Sequence, residues 1–211
     1  MPIRIEANGE NTIAALIASE RETGDLHHQV NEWLTQMDLV ENFSVIPLNN
    51  DKRFYEPKVT IEKVESSLLD VGFGISQVLP VITELFFVPE GSIVLLEQPE
   101  LHLHPSAQAH LADLFLHVAK ERHLQLIIES HSEHLLRRLQ RRIAESESPF
   151  ATPENIRMYF CQKGDNGSTI EEVKVDTFGQ VLNWPENFFG DITGDLEAMT
   201  YAALQRSRNG H

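Results

Sequence analysis

Two short runs of consecutive apolar residues, Ser92-Ile-Val-Leu-Leu96 and Leu124-Gln-Leu-Ile-Ile128, constrain the fold of this chain most. Strands that are apolar at nearly every position belong to a parallel sheet covered on both faces. The 106–121 segment between them has helical periodicity, so strand, crossover helix and strand follow in order. The first run ends in acid at Glu97, the second is followed by Glu129-Ser130-His131 and so places a histidine at its end, and ligands in open α/β sheets sit outside the carboxyl ends of strands.

Around this unit the pattern is mixed. Leu26, Val30, Trp33, Leu34 and Met37 form an amphipathic helical stripe over 26–39. Segments 43–48 and 58–64 are rich in strand formers, with Asn49-Asn50-Asp51 as a turn between them. Ile75, Val78, Leu79, Ile82, Leu85 and Phe86 read as a helix, in which Pro80 should end the first turn or kink the axis. A further helix is expected over 132–145. Segments 156–161 and 169–175, joined by Gly164-Asp-Asn-Gly167, predict a hairpin. Trp184-Pro185, Phe188-Phe189 and a last helix from about Asp195 complete the chain.

Three loop tips carry chemistry. Gly72 and Gly74 precede a helix, where backbone N–H groups and the helix dipole receive an anion, and Ser76 adds a hydroxyl. The plainer reading is a tight turn. Glu97 at a strand end is suited to magnesium held through water, although a strand can also meet an acidic loop by chance. His131 follows the second strand and can hydrogen-bond a terminal phosphate, while Ser130 or Ser132 caps the next helix. Arg137, Arg138, Arg141 and Arg142 read first as a solvated helix face and second as a partner site. His102, His104, His131 and His134 near Glu97, Glu100 and Glu129 raise a metal-hydrolase alternative, without a His-Glu-x-x-His helix to support it.

Composition narrows the classes. The 211 residues carry a formal net charge of -15, which opposes direct nucleic-acid binding by the chain as a whole. No apolar run reaches the ~20 residues of a membrane span. The single cysteine, Cys161, and the absence of a secretory leader pattern point to the cytoplasm.

Residues 70–80 (DVGFGISQVLP), 97–105 (EQPELHLHP) and 129–138 (ESHSEHLLRR) resemble ABC-type ATPase heads of the branch holding RecF, SMC proteins and OLD-type bacterial ATPases. They are similar in particular to a group of bacterial AAA-annotated ATPases that also end in a region like 181–189 (VLNWPENFF). The likeness covers roughly residues 65–190, and Gly9-Glu-Asn-Thr-Ile-Ala-Ala15 is compatible with the middle of such proteins. It implies an α/β, P-loop NTPase-like partial parallel sheet flanked by helices, with a small C-terminal hairpin and helix appendage. Residues 1–64 would be connecting elements, 65–162 the core lobe and 163–211 the appended region.

The resemblance also implies ATP and magnesium as ligands and a homodimer of heads. Gly72, Gly74, Ser76 and Gln77 stand in the ABC signature, which meets the γ-phosphate of ATP bound to the opposite subunit. Glu97 holds the Walker B position, His104 the D-loop and His131 the switch histidine. Two departures follow. The chain contains no Gly-x-x-x-x-Gly-Lys-Ser/Thr loop, so it is expected to be inactive alone and to need a Walker A half from the same longer protein or a partner. Gln98 replaces the usual catalytic glutamate, and an amide orients water but accepts protons poorly, so slow or switch-like hydrolysis is expected. Glu100 and Glu129 are the carboxylates available to substitute. The alternative is a non-catalytic scaffold on the same fold.

Overall fold

A computed structural model describes residues 5, 9–22, 25–49, 54–145, 147, 149–164, 167–185, 188 and 192–208. Asn50 and Asp51 of the first expected turn, Asp165 and Asn166 of the second, and Phe189 lie outside them. The chain divides into two compact units, residues 1–139 and 140–211.

The first unit opens with α1 (Thr12–Glu22) and α2 (Asp25–Gln36). Helix α2 is amphipathic as its spacing requires, burying Leu26, Val30, Trp33 and Leu34. The sequence stripe over 26–39 therefore marks the helix, whereas α1 carries no comparable signal. Strands β1 (Asn42–Pro47), β2 (Tyr55–Ile61) and β3 (Val64–Ser67) form an antiparallel sheet in that order. Asn31 Oδ1 accepts the Phe43 N–H at 2.6 Å and ties α2 to β1. Glu62 and Lys63, both at positive φ, make the β2–β3 turn. Their side chains are not those that normally announce such a turn, which is why 58–64 reads as one strand.

Helix α3 (Phe73–Phe87) starts two residues before the apolar stripe and runs through Pro80. Pro80 has no N–H for the Ser76 carbonyl, yet the helix continues beyond it. Val78, Leu79, Ile82 and Leu85 are buried on its core face, and their packing outweighs the one missing hydrogen bond. At the far end Arg122 donates to the Leu85 and Val88 carbonyls at 2.5 and 2.7 Å, closing the helix terminus.

Strand β4 (Ile93–Glu97), helix α4 (Pro105–Glu121) and strand β5 (Gln125–Glu129) form the expected parallel unit, in register Ile93 to Gln125 through Glu97 to Glu129. Helix α5 (Glu133–Glu145) follows. On the core side Val94, Leu96, Leu126 and Ile128 pack with Leu111, Leu114 and Phe115 of α4 in one cluster. His117 of α4 meets the rings of Trp33 and Phe86, joining three helices. The opposite face contradicts the sequence expectation of cover on both sides. Ile93, Leu95 and Ile127 are 59%, 71% and 60% exposed, and no described element lies over them. The strands are apolar toward both faces, and among the described residues only one face is covered.

In the second unit β6 (Met158–Gly164) and β7 (Gly167–Val173) pair antiparallel, and α6 (Ile192–Arg208) begins three residues before the expected start. Phe188 meets Phe160 at a tilt and Trp184 edge to face, with centroids 5.1 and 5.3 Å apart. Gly179, at φ +75°, leaves no room for a side chain beside the Gln140 carbonyl, and its own carbonyl accepts from Gln140 Nε2 at 2.7 Å.

Candidate functional site

Parallel pairing brings Glu97 and Glu129 side by side at the carboxyl ends of β4 and β5. Strands so paired lie about 5 Å apart, so the two carboxylates share one neighbourhood. They sit on the same sheet face as Leu95 and Ile127, at the end of the bare apolar strip. A cavity of about 430 Å³ opens here, lined by Glu97, Gln98, Pro99, Leu101 and Glu129 from the strand ends, Ser76, Gln77, Pro80 and Val81 from α3, and Gly9.

The loop after β4 is wound tightly. Gln98 and His102 both take positive φ, 46° and 64°, an uncommon conformation for side-chain-bearing residues. The Gln98 N–H still donates to the Glu129 carbonyl at 2.9 Å, so the ladder holds Gln98 in place beyond the last strand residue. Leu101 and Leu103 then donate back to the Gln98 and Glu100 carbonyls, both at 3.1 Å.

Glu100 is 7% exposed, and its Oε1 accepts the His131 N–H at 2.8 Å. The loop after β4 thus grips the loop after β5. Gln108 makes a second tie, donating to the Leu103 carbonyl at 2.9 Å while its Oε1 accepts from the Ser132 hydroxyl at 2.6 Å. Ser132 Oγ in turn accepts the Leu135 N–H at 3.0 Å and caps α5, and Ser130 Oγ accepts the Ser132 N–H. The His131 imidazole is exposed, with Nε2 3.2 Å from Glu129 Oε1.

The expected site residues divide as follows. Ser76, Gln77, Glu97 and Gln98 line the cavity, and His131 joins them through Glu129. Ser76 Oγ donates to the Phe73 carbonyl at 2.9 Å within the first turn of α3. Gly72 is the N-cap of α3 with open space around it. Gly74 instead abuts the loop after β4, since a Cβ there would stand 3.0 Å from the His102 carbonyl. His104 is exposed and is the N-cap of α4, its Nδ1 accepting the Ser106 N–H at 3.3 Å. Gly72, Gly74 and His104 are not among the cavity-lining residues.

Two lining residues carry no strong sequence signal. Gly9 sits at φ +79°, where a Cβ would meet Pro80 Cγ at 2.6 Å, and its carbonyl accepts the Thr12 hydroxyl at 2.6 Å. A glycine followed three residues later by a threonine at a helix start is the only hint. Glu129 reads in sequence as one acid among several, and only the strand register sets it opposite Glu97.

The arginines of α5 divide: Arg137 and Arg141 are exposed and pair along the helix with Glu133 and Glu145, as a solvated face would, Arg142 is partly covered and also pairs with Glu145, and Arg138 is mostly covered and reaches across to Asp113 of α4. Among the described residues no three His, Cys, Asp or Glu side chains gather as a metal cluster, so the metal-hydrolase alternative has no ligand set. Glu97, at the end of β4, supplies a carboxylate of the kind that suits a hard divalent cation. Among the described residues the cavity lining contains no Lys or Arg, so these residues by themselves offer a polyphosphate no positive side chain.

A parallel strand–helix–strand unit whose strand ends form a polar cavity beside a helix N-terminus is an α/β arrangement, and the alignment with solved ATPase heads gives its fold as P-loop NTPase-like. The chain belongs to the AAA ATPase domain family, whose model matches residues 5–136. Residues 152–199 match a second family, described only as a protein of unknown function (DUF3696). No curated protein matches the chain.

Among solved structures, an SMC ATPase described for ATP-driven dimerization and DNA-stimulated activation aligns with a TM-score of 0.55 at 15% identity, over 75% of this chain and 89% of that one. An SMC head bound to the C-terminal winged-helix domain of ScpA gives 0.54 at 12%, over 80% and 56%. A Pyrococcus yayanosii Smc head with a coiled coil and joint gives 0.52 at 14%, over 80% and 32%. The chain thus spans nine-tenths of one of these structures and about half or a third of the others. At such identities the likeness is one of fold. Among the described residues no helix is long and apolar enough to cross a membrane.

Proposed function

We propose that this chain is the C-terminal lobe of an ABC/SMC-like ATPase head, in which Mg-ATP is sandwiched between two heads and hydrolysed slowly, as a switch. The observation that carries this reading is the single cavity shared by Ser76, Gln77, Glu97, Gln98 and Glu129 at two parallel strand ends. In this reading Gly72, Gly74, Ser76 and Gln77 present the start of α3 to the γ-phosphate of ATP on the opposite head. Glu97 holds magnesium through water, Gln98 orients the attacking water, His104 faces the partner head and His131 senses the γ-phosphate. Magnesium, when bound, neutralises phosphate charge and polarises the terminal phosphoryl group.

Two features support an incomplete site. Among the described residues the lining is anionic and without a cationic side chain, whereas a phosphate cradle needs backbone N–H groups and a lysine. The bare strip of Ile93, Leu95 and Ile127 beside the carboxylates is the surface that a further layer of the same α/β sandwich would cover. The reading therefore assigns the phosphate-binding loop to another part of a longer protein or to a partner subunit.

Size-exclusion chromatography with and without Mg-ATP tests it on this chain together with the polypeptide bearing that loop. Dimerisation is expected only with ATP, and to be lost in Glu97→Gln and Gly74→Asp. Assembly indifferent to nucleotide and to both substitutions is the signature of the scaffold alternative.

A further inference from the structure

We propose that Glu129 is the general base of this site, taking the role that Gln98 cannot fill; the assignment rests on the nucleotide reading above. A neutral amide orients water without accepting its proton, so hydrolysis here needs a carboxylate or imidazole close to Gln98. Three carboxylates stand near the strand ends. Glu97 is the metal-side group. Glu100 is buried, with Oε1 accepting the His131 N–H and Oε2 shut away from solvent, and it lies outside the cavity lining.

Glu129 meets the requirement on each count. It lines the same cavity as Gln98 and is half exposed, so a water molecule can reach it. Its carbonyl holds the Gln98 N–H at 2.9 Å, which fixes the backbone of the water-orienting residue to that of the base. Its Oε1 lies 3.2 Å from His131 Nε2, and Glu100 anchors His131 by its backbone at 2.8 Å. A base oriented by a third, separately anchored group is the arrangement by which nucleophile-activating sites fix geometry.

The step balances without further reactants than water and ATP. The water oxygen forms a bond to the γ-phosphorus as the bond from that phosphorus to the β,γ-bridging oxygen breaks. ADP leaves with the bridging oxygen and its electron pair, the water proton passes to the Glu129 carboxylate, and inorganic phosphate remains. The His131 imidazole, beside the carboxylate, steadies it before and after the transfer.

The test uses the ATPase-competent protein, this chain with the polypeptide that supplies the phosphate-binding loop. Glu129→Gln is close in size and should leave ATP affinity and the melting temperature unchanged while lowering single-turnover hydrolysis about 10²-fold or more, the usual contribution of a positioned base. Adding Gln98→Glu to that variant should restore at least about tenfold of the loss, because a carboxylate returns to the water. In the isolated chain the His131 ring resonances should shift in Glu129→Gln, as expected from a neighbour at 3.2 Å. Undiminished hydrolysis by a Glu129→Gln protein that binds ATP, or unshifted His131 resonances, would overturn the assignment alone. Absence of ATP binding in the unsubstituted protein would overturn the nucleotide reading and this assignment with it.

Discussion

Gly72 and Gly74 sit two residues apart and have different jobs. Gly72 has open space where a Cβ would go and an ordinary φ of -58°, so Gly72→Ala should leave thermal stability within about 0.5 kcal/mol. Gly74→Ala drives a methyl group against the His102 carbonyl, and the overpacking should cost about 1 kcal/mol despite the better helix propensity of alanine. Equal melting temperatures for the two variants would contradict this division. Glu100 is a sharper case: Glu100→Ala leaves the His131 N–H without its acceptor and should cost about 1–3 kcal/mol in urea unfolding, while Glu100→Gln keeps that acceptor and recovers most of it. The side-chain oxygen Oε2 of Glu84 on α3 is buried without a partner, and burial raises its carboxyl above the ordinary range. The folded state then binds the proton more readily than the unfolded chain, so this group costs stability as pH rises through its folded value. Glu84→Gln should raise the melting temperature at neutral pH, with a gain that shrinks as pH falls toward the ordinary carboxyl range; a gain constant across that window would contradict the assignment.

Residue identity announced some of this and hid the rest. A serine cap on α5, at Ser130 or Ser132, is legible because a small hydroxyl residue before a helix has a local physical reason to be there, and the hydrogen bond to the Leu135 N–H selects Ser132. The buried Glu100 was not, because its partner lies 31 positions away and only the fold brings them together. Positive φ at Gln98 and His102 was equally hidden, since neither residue type signals it.

Elements were read well where periodicity and apolar content agreed. The β4–α4–β5 unit is of this kind, because continuous Val, Ile and Leu runs flanking an amphipathic segment admit few other foldings. At Pro80 local chemistry allows a stop or a kink, and of these the stop does not occur, since core packing carries α3 through it. Arg122 carries the other end of that helix. Arg122→Ala frees the Leu85 and Val88 carbonyls and should destabilise the first unit by about 1.5–3 kcal/mol, the usual value of hydrogen bonds from a charged donor. Amide exchange should quicken first in the last turn of α3, and unchanged protection there would show that the carbonyls find other partners.

At the scale of the molecule, the informative fact is a mismatch between composition and burial. Ile93, Leu95 and Ile127 have the sequence of an interior strand face and the exposure of a surface. Leu95→Lys should therefore leave the isolated chain as stable as before, within about 0.5 kcal/mol, and abolish assembly with the polypeptide that carries the phosphate-binding loop. Retained assembly would mean that the strip faces something else. The charge distribution agrees with the geometry, because a chain of formal net charge -15, with two carboxylates at its cavity, gains from a cationic partner before it can hold phosphates.

The most direct measurement is calorimetric titration of Mg-ATP into this chain alone and into the same chain joined by the loop-bearing polypeptide. No binding is expected at micromolar concentrations in the first case, and micromolar binding that Glu97→Gln weakens in the second. Micromolar binding by the isolated chain, unaffected by Glu97→Gln, would contradict the proposal of an incomplete site.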